Sequence, residues 1–245
     1  MEKIEYFKAL GELFELNGLP CPSDELCDKL YMLSELLLSA NKIHNLTAIK
    51  EEEDVIVKHF VDSLFLSGAL PEGSRVIDVG CGPGFPSLPI SIYRPDVTLL
   101  GVDSTAKKIN YVNETARSLG LDNISAISAR AEELGHDFAY RESFDIATAR
   151  AVASLPVLTE LCLPFVKVGG YFVAMKAQSA AEELELARTA ITKCGGEFVR
   201  IEELTLKHRK ADAADESRNL IIIKKVKPTP DIYPRIYSKI TKKPL

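Results

Sequence analysis

Three glycines, two aspartates and one arginine carry the spacing in this chain that could do chemistry. Gly80, Gly82 and Gly84 lie in VIDVGCGPGFPSLPI (76–90), the first of them two residues after Asp78. Asp103 closes the next apolar run, LLGVD, 19 residues beyond Gly84, and Arg150 closes a later one, FDIATAR. Glycine serves where a main chain must turn through positive φ or let a partner lie against it. A strand, a glycine turn and a helix make a corner whose backbone amides face a ligand. The ligand of such a corner can be a phosphate, a nucleoside or merely a neighbouring helix.

The spacing narrows that choice. A triphosphate loop needs GxxxxGK[ST], and no lysine follows these glycines. The dinucleotide pattern GxGxxG fails as well, because the spacing here is GxGxG. Pro83 stiffens the turn and removes a donor, which suits a pyrophosphate poorly. S-adenosyl-L-methionine (SAM) has no phosphate but carries a sulfonium, an ammonium, a carboxylate and a ribose. Gly80 and Gly82 would let the backbone lie against it, and Asp78 would add negative potential beside a cation. Asp103 can accept hydrogen bonds from both ribose hydroxyls, as an acid in this place also does for NAD. It also reads as an acid ahead of the helix STAKKINYV. Ala131 and Glu132, in ARAEEL, offer a small surface with an amide and an acceptor where an adenine edge would lie, although AEEL equally reads as a helix start. Arg150 can pair with a cofactor carboxylate or with a strand-end acid such as Asp145. It is the leading candidate at the active cleft, and no residue is assigned as catalytic.

These residues need a scaffold, and the hydrophobic pattern supplies one. Ile4, Phe7, Leu10 and Phe14 recur at helical spacing, and Ser23 can cap a second helix bearing Leu26, Leu30, Leu33 and Leu37 on one face. EEEDVIVKHFVDSLFLSGAL predicts a further helix, so residues 1–70 read as a helical cap. From Arg75 on, RVIDV, VTLLGVD, ISAIS, FDIATAR, YFVAMK, EFVRIEELTL and NLIIIKK read as seven strands with amphipathic helices between most of them. Only polar residues separate the last two, which should pair antiparallel at an edge. The class is α/β: a Rossmann-like seven-stranded sheet in residues 71–227. Residues 228–245, with Pro228, Pro230 and Pro234, are expected to be an irregular basic tail.

Composition adds the partner. The net charge of −5 hides a split: Lys224–Leu245 holds seven Lys/Arg and one acid, net +6, while the other 223 residues hold 23 basic and 34 acidic groups, net −11. A basic tail on an acidic body suggests contact with a polyanion, the plainer alternative being a segment that only keeps the protein in solution. Arg235, Lys239, Lys242 and Lys243 are its candidate contacts. Five scattered cysteines without CxxC suggest neither disulfides nor zinc and fit a reducing, cytoplasmic compartment. No apolar run reaches membrane-span length, and the charged MEKIEYFKAL is unlike a secretory signal. No metal site is expected, and a monomer is.

NLTAI (45–49), KHFVDSL (58–64), DVGCGPGFPSLPI (78–90), VDSTAKKINYV (102–112), ARAEEL (129–134), ARAVASL (149–155), MKA (175–177) and RNLIIIKK (218–225), in this order, resemble the RsmG family, also called GidB. The resemblance runs from about Asn41 to the end. It implies a SAM-dependent methyltransferase acting on N7 of one guanine in bacterial small-subunit (16S) ribosomal RNA. It also implies cofactor contacts at Gly80, Phe85, Asp103, Ser104, Thr105, Ala131, Glu132 and Arg150. Arg150 then has guanine O6 as a further possible partner. Asn45, His59 and Asp62 could line the same cleft from the cap, and Lys176 and Arg218, at strand ends, are candidate RNA phosphate contacts. A small-molecule methyltransferase, a SAM-binding ribosome-assembly factor without turnover and a dehydrogenase are the other readings. The first of these leaves the basic tail unexplained.

Overall fold

The computed structural model describes residues 1–177, 179–210 and 213–245. Helix α1 (Lys3–Leu16) buries Tyr6, Leu10, Leu13 and Phe14, and α2 (Asp24–His44) buries Leu30, Leu33 and Leu37, each set recurring at the three-to-four-residue spacing of one helix face. Ser23 caps α2 by accepting from the Leu26 amide at 3.2 Å, and Asp24 and Glu25 place negative charge where the helix dipole favours it. The following segment departs from the single helix expected. It divides into α3 (Glu52–Val55), a π-helical turn (Ile56–Val61), α4 (Asp62–Leu64) and a 3-10 turn (Phe65–Ala69). The Arg150 side chain donates to the Lys58 carbonyl at 3.0 Å within the wide turn. A side chain inserted into the ladder is a recognised cause of such irregularity, and π turns are frequent at functional sites.

The sheet comprises β1 (Arg75–Val79), β2 (Thr98–Asp103), β3 (Ile124–Ser128), β4 (Phe144–Arg150), β5 (Val166–Lys176), β6 (Gly196–Leu206) and β7 (Glu216–Lys225). Helices α5 (Ser87–Tyr93), α6 (Ala106–Ser118), α7 (Ala131–Leu134), α8 (Leu155–Cys162) and α9 (Ala180–Lys193) join or follow the strands. The strand order is β3-β2-β1-β4-β5-β7-β6. The first five are parallel, and β7 runs antiparallel between β5 and the edge strand β6, as the missing helix between the last two strands predicts. Successive side chains alternate across the sheet. Val76, Ile146 and Val173 therefore join Leu10, Phe14, Leu33 and Phe60 in one core, while Ile77, Ala147 and Phe172 join Leu158, Ile191 and Ile221 in another. The cap and the sheet share the first core, so the cap is a layer on one sheet face. Among the described residues no helix is long and apolar enough to cross a membrane.

The tail corrects the expectation of an irregular segment. It contains α10 (Tyr237–Lys242) and lies against the opposite sheet face, with Tyr233 and Ile240 buried in the second core. Arg141 donates to the carbonyls of Thr229, Pro230 and Tyr233. Arg235 holds the carboxylate of Glu160, on α8, which is wholly buried. An arginine spent on a buried carboxylate is not free for RNA. Lys239, Lys242 and Lys243 remain exposed.

Candidate active site

A cleft of about 790 Å³ opens where the carboxyl ends of β1, β2, β4 and β5 face the π-helical turn. Open parallel sheets bind ligands at this edge. Gly80, Gly82, Phe85, Asp103, Arg150, His59, Lys176 and Arg218 all line it, together with Asp62. The glycines divide their duties. At Gly82, φ 55, the space a Cβ would take is open. At Gly84, φ 92, a Cβ would meet Leu88 Cδ1 at 2.5 Å. The first keeps room beside the cleft, and the second lets the turn pack on its own helix. Asp103 accepts the Gly82 amide at 3.1 Å and the Thr105 amide at 2.8 Å. A carboxylate offers about four lone-pair sites, so acceptor capacity remains for a ligand. The shape of the turn and this acid fit a nucleoside.

Asp78 does not face the cleft. It is wholly buried beneath the turn, its Oδ2 accepts the Ser87 hydroxyl at 2.6 Å, and its Oδ1 has no partner. Burial raises its pKa to about 6. In the unfolded chain an aspartate ionises near pH ~4, so between about pH 4 and pH 6 the folded protein holds a proton that the unfolded chain has released. The Asp78 contribution is therefore largest below that window and lost as pH rises through it. Asp78→Asn, which cannot ionise, is expected to stabilise the protein by about 1–3 kcal/mol at neutral pH and to weaken binding of a cationic ligand. Urea midpoints at pH 5 and pH 8 check this, and a midpoint at pH 8 equal to wild type overturns it.

The cap side of the cleft is a chain of engaged polar groups. Asn41 clamps the Thr47 backbone by accepting from its amide at 2.9 Å and donating to its carbonyl at 3.0 Å. Thr47 Oγ1 lies 2.9 Å from His59 Nε2, and Arg150 lies 3.3 Å from His59 Nδ1. Arginine can only donate, so Nδ1 accepts, and Nε2 carries the proton toward Thr47. The His59 ring stacks on Phe85 at 4.2 Å. Burial, and then the Arg150 charge, lower the histidine pKa to about 3. A buried neutral histidine adds stability above its ordinary pKa and loses it as pH falls, opposing Asp78 in sign. Asp62 takes Arg150 on Oδ2 at 2.8 Å and Arg218 on Oδ1 at 2.7 Å. Arg218 also pairs with Glu216 at 2.8 Å. Lys176 pairs with Glu183 at 2.8 Å and donates to the Ala153 carbonyl at 2.9 Å.

Several sequence expectations change accordingly. The partner of Arg150 is Asp62, not Asp145, which pairs with Lys167. Lys176 and Arg218 stand in the cleft wall with carboxylates on them, not on the surface as free phosphate contacts. Asn45 lies outside this cleft; it is exposed and left-handed, φ 48, and ends α2. Ser104, Thr105, Ala131 and Glu132 are not among the lining residues. They follow the ends of β2 and β3, whose Asp103 and Ser128 are in register. Thr47, Glu183 and Glu216 were not singled out as site residues. For Glu216 the signal was present, since a residue two before Arg218 in a strand shares its face.

Chemically, the basic groups facing Arg150, Lys176 and Arg218 are already engaged. Asp62, Glu183 and Glu216 are each paired with a cation, the His59 lone pair accepts from Arg150, and burial pushes the Cys81 thiol well up. Cys162 is buried and raised in the same way. The arrangement can hold and orient a nucleoside and an electron-rich partner, with these charged groups committed to one another.

Over residues 26–211 the chain matches the family described as GidB, rRNA small subunit methyltransferase G. The ribosomal RNA small subunit methyltransferase G of Alkaliphilus metalliredigens is 44% identical over 224 residues, covering 91% of this chain and 92% of that protein. The protein of the same name from Clostridium perfringens is 40% identical over 244 residues, 99% of this chain and 100% of that one. The solved structure of M. jannaschii TYW2 in complex with AdoMet superposes with a TM-score of 0.52 at 16% identity, over 67% of this chain and 75% of that one, which is a likeness of fold.

Proposed function

The chain belongs to the GidB family, rRNA small subunit methyltransferase G, and from that premise we propose that it methylates N7 of a guanine in small-subunit (16S) ribosomal RNA. It is a SAM-dependent ribosomal RNA methyltransferase. The observation that supports the N7 assignment is that Asp62, Glu183, Glu216 and the His59 lone pair, all in the cleft, are already engaged. Guanine N7 has an in-plane lone pair and no proton, so transfer to it needs positioning and no general base. Methylation of an exocyclic amine leaves a proton to be removed, and C5 chemistry calls for a nucleophilic thiol. When bound, SAM supplies the methyl group on a sulfonium, whose electron pair sulfur keeps as nitrogen takes the carbon.

In this reading Asp103 accepts the ribose hydroxyls, Gly80, Gly82 and Phe85 shape the wall beside the cofactor, and Arg150 pairs with its carboxylate. Ser104, Thr105, Ala131 and Glu132 lie where the same ligand would extend along the strand ends. Asp78 acts from beneath the turn through its charge. The exposed Lys239, Lys242 and Lys243 contact RNA phosphates. The cap of residues 1–70 closes the cleft, residues 71–227 hold the cofactor, and residues 228–245 brace the fold while carrying those lysines. A monomer is part of this proposal. The substrate supports a cytoplasmic location.

Incubation with labelled SAM and unmodified small subunits is expected to yield 7-methylguanine at one position by mass mapping. Labelled small molecules with unlabelled RNA, or SAM binding without turnover, would replace this reading with one of its rivals. Asp103→Ala is expected to weaken SAM binding by about 1–3 kcal/mol, the cost of hydroxyls left without a charged acceptor. The Gly82 and Thr105 amides lose the same acceptor, so part of that loss is a looser turn. Calorimetry on the folded variant decides: unchanged SAM affinity, or tighter binding of NAD than of SAM, overturns the cofactor assignment.

A further inference from the structure

The His59 ring lies nearly parallel to Phe85, 4.2 Å away with 8° between the planes. That stack fixes the plane of the imidazole but not which edge faces which way, because a half-turn of the ring leaves the stack unchanged. The last side-chain torsion of histidine is itself broad and roughly two-fold. A half-turn would put ring carbons where Nδ1 and Nε2 now stand. Hydrogen bonds therefore choose between the two states. The shorter of them runs between Nε2 and Thr47 Oγ1, at 2.9 Å, against 3.3 Å between Nδ1 and Arg150.

We propose that Thr47 is a positioning residue for methyl transfer, acting on Arg150 through His59; this rests on the function proposed above. The loop that carries Thr47 holds its path without the histidine. Asn41 clamps the Thr47 amide and carbonyl, and the Ile49 amide donates back to the Thr47 hydroxyl at 3.2 Å. A hydroxyl oxygen has two acceptor sites, and the second is spent on the Nε2 proton. The ring then presents the Nδ1 lone pair to one terminal nitrogen of Arg150. The other terminal nitrogen has two partners, Asp62 and the Lys58 carbonyl. The nitrogen facing His59 has that one partner among the described residues. With the ring turned, a carbon would face it, and the guanidinium could swing about its bond to Asp62. Thr47, His59, Phe85 and Arg150 all line the cleft, so a hydroxyl of the cap fixes the edge of a ring that braces a strand-end arginine.

Substitutions that separate the hydroxyl of Thr47 from its methyl group test the role. Thr47→Val keeps the shape and loses the hydroxyl; Thr47→Ser keeps the hydroxyl and loses the methyl. With saturating SAM and unmodified small subunits, Thr47→Val is expected to lower single-turnover transfer by about 10-fold, the worth of one hydrogen bond. Its SAM affinity by calorimetry should stay within about threefold of wild type, since a misplaced group costs rate before it costs binding. Thr47→Ser should keep most of the wild-type rate, whereas a packing role predicts the reverse order of the two variants. In a His59→Gln background, Thr47→Val should lower the rate by no more than about twofold further, as for residues that act as a unit. A Thr47→Ser rate about 10-fold below wild type overturns the role, whether or not Thr47→Val folds. So does a Thr47→Val loss that multiplies in full with that of His59→Gln. Wild-type protein that leaves the subunits unmethylated overturns the function and this role together. Wild-type transfer matched by a folded Thr47→Val overturns the role alone.

Discussion

Asp62→Ala is expected to abolish most methyl transfer and to lower stability by about 3–5 kcal/mol, the range for stripping the counter-charge from a buried ion pair. One carboxylate, its side chain 9% exposed, holds Arg150 on one oxygen and Arg218 on the other. Its removal leaves two guanidinium groups in the cleft wall without that partner. Arg218 keeps Glu216, and Arg150 keeps only the Lys58 carbonyl and the histidine nitrogen. The arginines also retain some water access, which places the stability loss nearer the lower end of the range. Activity should suffer more than stability, because Arg150 loses the anchor that fixes it in the cleft beside His59. Asp62→Asn keeps the shape without the charge and should be milder on both counts. Urea unfolding and single-turnover transfer measure the two effects. A variant with wild-type unfolding midpoint and rate would remove Asp62 from the account.

Arg235→Ala is expected to cost a comparable ~3–5 kcal/mol, through a carboxylate that has nowhere else to turn. Glu160 is fully buried and accepts from the Arg235 backbone amide at 2.8 Å, from Nε at 2.8 Å and from a terminal nitrogen at 2.7 Å. The variant keeps the amide and loses the charge. Truncation before Tyr233 loses all three donors together with the buried Tyr233 and Ile240, each apolar side chain being worth a further ~1.5–3 kcal/mol. The sequence alone suggests that the tail can be removed with little effect on the core; the docked tail predicts unfolding. Glu160→Gln added to Arg235→Ala should recover part of the loss, since a neutral amide costs less to bury than an unpaired carboxylate. Urea midpoints of the three proteins check this, and a single variant as stable as wild type overturns it. RNA affinity is to be compared only with the tail in place, by changing Lys239, Lys242 and Lys243.

The local pattern made most of the scaffold legible. Each of the seven strands is where β-branched and apolar runs predict it, and Ser23 begins α2 as its capping chemistry requires. The local pattern predicts one helix over the segment 52–69; the carbonyl of Lys58 in its widened turn accepts from an arginine of β4, far along the chain, a contact that local pattern does not contain. The tail was misread for a related reason. Three prolines and a run of lysines look irregular and solvated, and nothing nearby in sequence announces that Glu160 is waiting for Arg235.

The sequence by itself determined the fold class and the glycine-turn wall of the cleft. The glycine turn follows its strand directly and Asp103 closes the next strand, so each is part of a local pattern that short-range backbone preferences suffice to read. Only the tertiary structure decided which charged groups are free to act. Asp62 meets Arg150 across 88 residues and Arg218 across 156, and Arg235 meets Glu160 across 75. It likewise decided that Asp78 is sealed beneath its turn and that His59 stays neutral. A residue type announces that a charge exists, but its partner and its access to water are properties of contacts between distant segments, and those contacts set what the charge can do.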